Sequence, residues 1–142
     1  MCEARVVGTY NFREVSVIVG TREITEFYAG SEVMAERDEE SFTKQVGVEG
    51  NVTRSKSNNS CGTITLSVSQ VSEDNKYLQN LANLDERTNA GIFPVKIVDK
   101  SNPSIELVTA FQAWISKPAN RNYGAESSAR EWMIHCADLN FL

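Results

Sequence analysis

The chain has 142 residues, 41% of them hydrophobic and 23% charged, which is the size and composition of one ordinary soluble domain. Its formal net charge of −5, from 19 acidic and 14 basic side chains, argues against a protein that grips nucleic acid through clustered Lys and Arg. A chain of this length can bury a core without disulfides or metals, and because no linker divides it we predict a single domain over residues 1–142.

The first third of the chain alternates between apolar and polar residues. Glu14 to Val19 predicts a strand with its valines on one face, Gly20-Thr21 a turn, and Glu23 to Tyr28 a return strand. A third strand is expected over Glu32 to Arg37. Together these segments indicate antiparallel β structure.

The stretch from Asp38 to Ser60 has a different pattern. It is polar and charged, and Gly47, Gly50 and the run Ser55 to Ser60 favour turns. Because it is too long for a plain connection in a compact domain, we predict an extended arm resembling a β-hairpin over about residues 38–60.

Thr63 to Val71 shows the clearest strand pattern, with Ile64, Leu66 and Val68 facing one way and hydroxyl side chains the other. Such alternation predicts one face in the core and one against water or a polar partner.

One helix is expected over Ser72 to Arg87, where Ser72 can serve as the N-cap and acidic residues follow in the first turn. Asn89 and Gly91 can end it. Its predicted core-facing stripe comprises Tyr77, Leu78, Leu81 and Leu84.

Three further strands are predicted over Ile92 to Val98, Glu106 to Ile115 and Ser128 to Ala137, with a turn at Ser101 to Ser104. The expected fold is mainly β: an antiparallel β-sandwich or barrel with one packed α-helix and the extended arm. In the last strand, one face would carry Trp132, Ile134 and Cys136, and the other Met133 and His135.

The candidates for chemistry are few. His135, the only histidine, and Cys136 point to opposite faces of one strand, so they are not expected to share a metal. Cys2, Cys61 and Cys136 are odd in number and widely spaced, which predicts no disulfide framework. The chain contains no nucleophile elbow, phosphate loop or dinucleotide fingerprint. We therefore predict no catalytic residue, metal or cofactor.

The acidic run Asp38-Glu39-Glu40 has two readings. As a calcium loop it lacks the alternating ligands and the glycine that such loops need. A solvated acidic turn, or an interface of ion pairs with Arg37, Lys44 and Arg54, is the more economical interpretation.

Several stretches, in order along nearly the whole chain, resemble the inner tail-tube proteins of contractile-tailed bacteriophages. They are Tyr10 to Val17, Glu36 to Lys44, Gly47 to Ser55, Asn58 to Leu66 and Arg130 to Leu139. None of these motifs is catalytic, and the specificity of the resemblance lies in the ordered set.

The resemblance implies a structural subunit and not an enzyme. Proteins of this kind form six-fold rings that stack into a hollow tube, an architecture related to that of type VI secretion tube proteins. The implied partners are copies of the chain itself and the sheath, baseplate and tail-terminator proteins, and DNA passes through the bore without specific binding. The implied location is the virion tail, after synthesis in the host cytoplasm. No membrane span or secretory signal is expected from the sequence.

In such a tube the arm reaches the neighbouring ring, and we expect it to be mobile until assembly. An acidic bore would repel phosphate, and Glu14, Glu23, Glu26, Glu106 and Glu131 are the candidates to line it. The predicted contact residues between subunits or rings are Arg37, Asp38, Glu39, Glu40, Phe42, Lys44, Arg54, Asn58 and Asn59.

Two other functions stay open at this point. A monomeric module of a phage baseplate or fibre that binds a ligand or carbohydrate would need an aromatic-lined pocket. Trp114 and Trp132 lie in alternating strands, where packing is the ordinary explanation. A hydrolase would need carboxylates with perturbed pKa values in a cleft.

Overall fold

The computed structural model describes residues 4–28, 32–101 and 105–142. In these parts of the chain it has ten strands, one α-helix and a short 3-10 turn at Phe12–Glu14. The helix α1 spans Asp74–Thr88. The strands are β1 (Val15–Val19), β2 (Arg22–Ile24), β3 (Met34–Arg37), β4 (Phe42–Val46), β5 (Val52–Lys56), β6 (Gly62–Ser69), β7 (Phe93–Asp99), β8 (Glu106–Ile115), β9 (Ala129–Cys136) and β10 (Asn140–Phe141).

Eight strands form one antiparallel sheet in the order β2-β1-β7-β8-β9-β6-β3, with β10 paired to β8, while β4 and β5 form a separate hairpin. After β2 the chain crosses to the other end of the sheet, where Phe27 bridges to Val68 of β6. The two ends of the sheet are thereby brought together, and the sheet encloses its core as a barrel does. The predicted mainly β fold with one helix is confirmed.

The strand predicted from Glu23 to Tyr28 is shorter in the structure. Glu26 has a φ of 57°, in the left-handed region, so the regular strand ends at Ile24 and only the bridge at Phe27 continues the pairing. The turn predicted at Ser101 to Ser104 lies, beyond Ser101, outside the described residues.

Strand β8 contains a bulge at the point where β7 carries a proline. Phe93 pairs with Ala113 and Val95 with Ala110, so two residues of β8 lie opposite the single Pro94. Proline has no N–H to donate to a ladder, and a bulge accommodates it.

The core is built from alternating residues, as the pattern predicts. Ile64, Leu66 and Val68 of β6 are fully buried. Ile134 of β9 is also fully buried, and Trp132 of β9 is only 2% exposed. The register sets these rows side by side, with Ile64 opposite Ile134 and Leu66 opposite Trp132. The predicted inward faces of both strands are confirmed.

Helix α1 closes the core with less apolar surface than predicted. Leu78 and Ala82 are buried and Tyr77 and Leu81 pack partly, but Leu84 is 38% exposed, so its place in the predicted stripe is wrong. The helix ends at Asn89, which is left-handed and donates its backbone N–H to Asp85 O at 2.9 Å.

Two buried polar residues in the first turn of α1 attach the helix to the barrel through hydrogen bonds, whereas the hydrophobic periodicity of the sequence points only to apolar residues for this contact. Asp74 accepts from Arg22 Nε at 2.6 Å and from Thr25 N at 2.9 Å. This carboxylate raises the pKa of Arg22. Asn75 accepts from Trp132 Nε1 at 3.0 Å and donates through Nδ2 to Ser69 O at 2.7 Å. Buried polar groups of this kind are tolerated because they are hydrogen-bonded.

Among the described residues, the structure shows no helix with the length and apolar character needed to cross a membrane.

Asn75 gives a direct test of this polar anchor. Asn75→Ala leaves the buried indole N–H of Trp132 without its acceptor, so we expect the free energy of unfolding to fall by about 1–3 kcal/mol in urea titrations. Asn75→Asp should be destabilising as well, because it replaces the donor to Ser69 O by a second acceptor. Glu86→Ala, at an exposed position of α1, is the control and should change stability by less than about 0.5 kcal/mol.

Candidate functional site

The predicted arm is a two-stranded hairpin that stands apart from the main sheet. Its strands β4 and β5 pair from Phe42 opposite Lys56 to Val46 opposite Val52, and every residue of both strands is exposed. The turn is closed by the N–H of Gly47, which donates to Asn51 O at 2.8 Å. Gly50 has a φ of +89°, which glycine adopts without strain.

The register sorts the side chains of the arm onto two different faces. Directly opposed residues in an antiparallel pair share a face, and the face changes at each step along a strand. One face carries only uncharged polar side chains, those of Thr43, Gln45, Thr53 and Ser55. The other, which we call the cationic arm face, carries Phe42, Lys44, Val46, Val52, Arg54 and Lys56.

The cationic arm face is unfavourable in the isolated chain. Lys44 and Arg54 are directly opposed, and like charges at such positions repel. The Arg54 guanidinium lies 4.7 Å from the centre of the Phe42 ring, a cation–π contact that does not neutralise its charge. A surface with three cations and exposed apolar groups is stabilised by an anionic, partly apolar partner.

Three acidic residues of the arm, Asp38, Glu39 and Glu40, are at its base, and a fourth, Glu49, lies in the turn at its tip. Asp38 Oδ1 accepts from Thr63 Oγ1 at 3.3 Å, and Glu39 Oε2 accepts from Ser57 Oγ at 3.4 Å. Within the described residues the one ion pair is Arg22 with Asp74, so the charged groups of the arm have no salt-bridge partner among those residues. The three cations thus lie in the strands of the arm, and its acidic side chains lie at the base and in the turn.

Arg37 fixes the base of the arm to the end of the chain. Its Nε donates to Leu139 O at 3.0 Å, its Nη1 donates to Ser41 Oγ at 3.2 Å, and its guanidinium lies 5.9 Å from the Phe141 ring centre. Gly62 is required beside it, because a Cβ there would stand 2.4 Å from Leu139 Cδ2. Arg37 therefore has hydrogen-bond partners within its own chain, whereas Lys44 has no hydrogen bond or salt bridge from its side chain to another described residue.

The remaining predicted contact residues lie in the loop after β5. Asn59 Oδ1 accepts from Cys61 N at 3.0 Å, and Asn59 N donates to Ser57 Oγ, so Asn59 shapes the return of the chain to the sheet. Asn58 is exposed in the same loop. Whether these residues contact another subunit stays a prediction.

A second polar surface lies on the outward side of β3, β6 and β9. We call it the outer sheet face, and its rows follow the register: Glu36, Thr63 and His135 form one row, Met34, Thr65 and Met133 a second, and Ser67 and Glu131 a third. Two open grooves of about 420 and 490 Å³ run over it and share Glu131 and Met133 in their linings.

The grooves do not have the aromatic lining that a carbohydrate site would need. Neither Trp114 nor Trp132 is among the described residues that line them. Trp132 is in the core, and Trp114 stacks on His135 with ring centres 6.4 Å apart. The described residues also contain no group of three or more His, Cys, Asp or Glu side chains placed to hold a metal.

Sequence reasoning missed Lys56 and Glu36. Lys56 falls in a serine- and asparagine-rich stretch that reads as loose chain, and only its pairing with Phe42 places it on the cationic arm face. Glu36 was assigned to no surface, although alternation along β3 places it on the side opposite Ala35, which packs against the core.

Cys136 is buried beneath the base of the arm, paired with Gly62, and is 1% exposed. Burial raises the pKa of its thiol to about 11, and the negative charges of Asp138 and Asp38 add to the shift. The thiol is therefore protonated at neutral pH and packs as a small apolar group.

The role of Arg37 as an anchor predicts a local effect. Arg37→Ala should lower the free energy of local opening by about 1–2 kcal/mol and speed amide exchange in residues 38–61 and 139–142, because the base of the arm loses its link to Leu139. Exchange in β7 should not change. Arg37→Lys, which keeps the charge without the forked geometry, should resemble Arg37→Ala if the anchor depends on that geometry. Unchanged exchange in Arg37→Ala would contradict this role.

The Cys136 thiol predicts a pH dependence of stability. Its pKa in the folded chain, about 11, lies above the ordinary 9.0, so its stabilising contribution is complete below pH 9 and lost as the pH rises towards 11. The expected loss is at most about 1.4 kcal/mol per pH unit in that window. Urea titrations of wild type, Cys61→Ala and Cys136→Ala should show this slope in the first two and a shallower one in Cys136→Ala.

Known proteins that are similar in sequence are phage structural proteins, and known structures that are similar in fold come from contractile injection systems. A profile of the family described as "Bacteriophage PhiTE tail tube protein" matches residues 7–142. A curated relative, "Structural protein ORF10" of Pseudomonas phage KPP10, is 28% identical over 142 residues, which cover 94% of this chain and 81% of the relative.

Solved structures of contractile injection systems share the fold. The sheath/tube terminator of the PVC extracellular contractile injection system superposes with a TM-score of 0.65 at 11% identity, over 99% of each chain. The tube terminating cap of the anti-feeding prophage AFP gives a TM-score of 0.62 at 11% identity, over 99% of this chain and 95% of the cap. The PVC sheath-tube complex gives 0.61 at 13%, over 96% and 93%.

The family match extends over nearly all of the chain, and the predicted resemblance to tail-tube proteins is confirmed. The chain belongs to the bacteriophage PhiTE tail tube protein family and serves a structural role in the phage tail.

Proposed function

We propose that this protein is the repeating subunit of a tail inner tube, in which copies form hexameric rings that stack into a hollow conduit for DNA during ejection. Its role is structural and not catalytic. The observation that carries the proposal is the arm, an exposed hairpin whose acidic base and cationic face form no salt bridge with any residue that the structure describes. The fold that this chain shares with tube and terminator structures of contractile injection systems supports the same role.

The arm is built to be covered by another molecule. Phe42, Val46 and Val52 on its cationic face are 45%, 64% and 59% exposed. A two-stranded hairpin that stands alone is marginally stable in water, because it buries too little apolar surface. Packing against a neighbouring subunit supplies the burial that the arm lacks, in keeping with the expectation that it orders on assembly.

The charge distribution favours contact between different patches of identical subunits. The cationic arm face of one subunit meets the acidic base, Asp38 to Glu40, of the next, so each copy both gives and receives the contact. Such a heterologous contact propagates into rings or filaments, whereas a two-fold contact stops at a dimer. A single exposed ion pair contributes at most about 1 kcal/mol, so stability comes from many repeats and from Phe42 as an apolar anchor.

The other partners follow from the same role. The outside of the tube faces the sheath, and its ends meet the baseplate and the tail-terminator. Both terminator-type relatives have this fold, so ends and body of a tube can be made from similar subunits.

The first test is electron microscopy of the purified protein, concentrated at moderate salt. We expect six-fold rings or hollow tubes, and higher salt should weaken them because it screens the contacts of the arm. A particle that stays monomeric even when a baseplate or terminator nucleus is supplied would contradict the proposal and favour a ligand-binding module.

A paired variant tests the cationic arm face itself. Lys44→Gln with Arg54→Gln removes two directly opposed cations, and we expect it to reduce tube formation by roughly tenfold or more at moderate salt. The matched control is Thr43→Glu with Ser55→Glu, which makes the same change in net charge at directly opposed positions of the other face. The control should assemble like wild type, and equal assembly of both variants would rule out the cationic face as the contact.

A further inference from the structure

The outer sheet face differs from the opposite wall of the barrel in its charge. Its outward positions hold Glu36 and Glu131, the hydroxyls of β6, two methionines and His135. β3, β6 and β9 lie wholly within the described residues, and no Lys or Arg occupies an outward position on them. Their two arginines turn to the other side, where Arg37 donates to Leu139 O and Arg130 has a buried Nε.

The opposite wall mixes charges of both signs. There the outward row runs from Glu23 through Ile18 and Lys96 to Thr109. An acid and a base in one row give little net field at the surface. The outward positions of the outer sheet face hold Glu36 and Glu131 and no Lys or Arg, although each groove over it is also lined by one cation, Arg37 in the 420 Å³ groove and Lys117 in the 490 Å³ groove.

Because electrostatic interactions in salt solution act over a short distance, the difference in charge between the two walls determines how each would interact with DNA. The Debye length is about 8 Å at physiological ionic strength, so a polyanion responds to the wall beside it and not to the net charge of the whole chain. A wall whose outward positions carry carboxylates and no Lys or Arg holds phosphate weakly, whereas each Lys or Arg placed there adds a point of retention.

We propose that the outer sheet face lines the bore of the tube and that Glu36 and Glu131 are the carboxylates that face DNA. This inference rests on the proposed function. Of the five glutamates predicted to line the bore, Glu131 lies on this face and Glu23 lies on the opposite wall. Glu14, Glu26 and Glu106 lie outside β3, β6 and β9. Glu36, which is not one of those five, joins Glu131 as a carboxylate assigned to the bore.

The experiment uses assembled tubes and a short double-stranded oligonucleotide. Glu36→Lys with Glu131→Lys places cations on the outer sheet face, and Glu23→Lys with Glu86→Lys makes the same charge change at exposed positions elsewhere. Tubes of each variant are verified by electron microscopy, incubated with the oligonucleotide, treated with nuclease and sedimented. DNA inside the bore is shielded from nuclease, and DNA on the outer surface is digested.

We expect wild-type tubes to retain almost no DNA and the Glu36/Glu131 tubes to hold about tenfold more nuclease-resistant DNA, decreasing with salt. The control tubes should bind only nuclease-sensitive DNA. Equal digestion on both lysine variants would overturn the assignment of the face while leaving the tube proposal intact. Wild type that forms no tubes even when a baseplate or terminator nucleus is supplied contradicts the proposed function itself.

A variant with two neutral substitutions tests the same face if the variant with two lysines does not assemble. Glu36→Gln with Glu131→Gln should form normal tubes with a smaller rise in protected DNA, since repulsion is removed without adding attraction. If this neutral pair also fails to assemble while remaining folded by circular dichroism, the face is an interface between subunits and the inference is wrong.

Discussion

The alternation along β6 is the constraint on which the rest of the molecule depends. Its inward residues Ile64, Leu66 and Val68 are fully buried, and its outward hydroxyls form the centre of the outer sheet face. The strand pairs with β9 on one side and with β3 and Phe27 on the other, so it joins the two ends of the sheet. The arm precedes β6 along the chain, and helix α1 follows it. A shift of one residue in its register would exchange core and surface together.

Much of this arrangement could be predicted, because β6 and β9 alternate cleanly and local alternation reports burial. The arm was predicted from the failure of that pattern between Asp38 and Ser60. What could not be predicted depends on partners distant in sequence. Asp74 and Asn75 look like ordinary first-turn residues until Arg22 and Trp132 are placed beside them. The cationic arm face likewise requires the strand register, which composition does not give.

The charged residues at the start of helix α1 and those on the arm differ in whether their charges are paired within the described chain. Asp74 is buried, and it is stabilised by a guanidinium and a backbone N–H of its own chain. Lys44 and Arg54 are exposed, face each other and form no salt bridge with a carboxylate in the described parts of the chain. The first arrangement holds the helix against the barrel. The second leaves electrostatic energy that contact with an anionic partner would recover, as the proposed tube requires.

The opposed cations on the arm also bear on what free subunits do before they assemble. A hairpin has two open edges, which invite pairing with any other strand, and exposed valines add to that hazard. Two arms that approach through their cationic faces repel each other, and charges on edge strands are a common protection against such pairing. The same lysine and arginine that would bind an acidic partner in the proposed tube therefore discourage arm-to-arm aggregates. Directly opposed like charges on the arm thus act against pairing of the wrong strands as well as for contact with the right one.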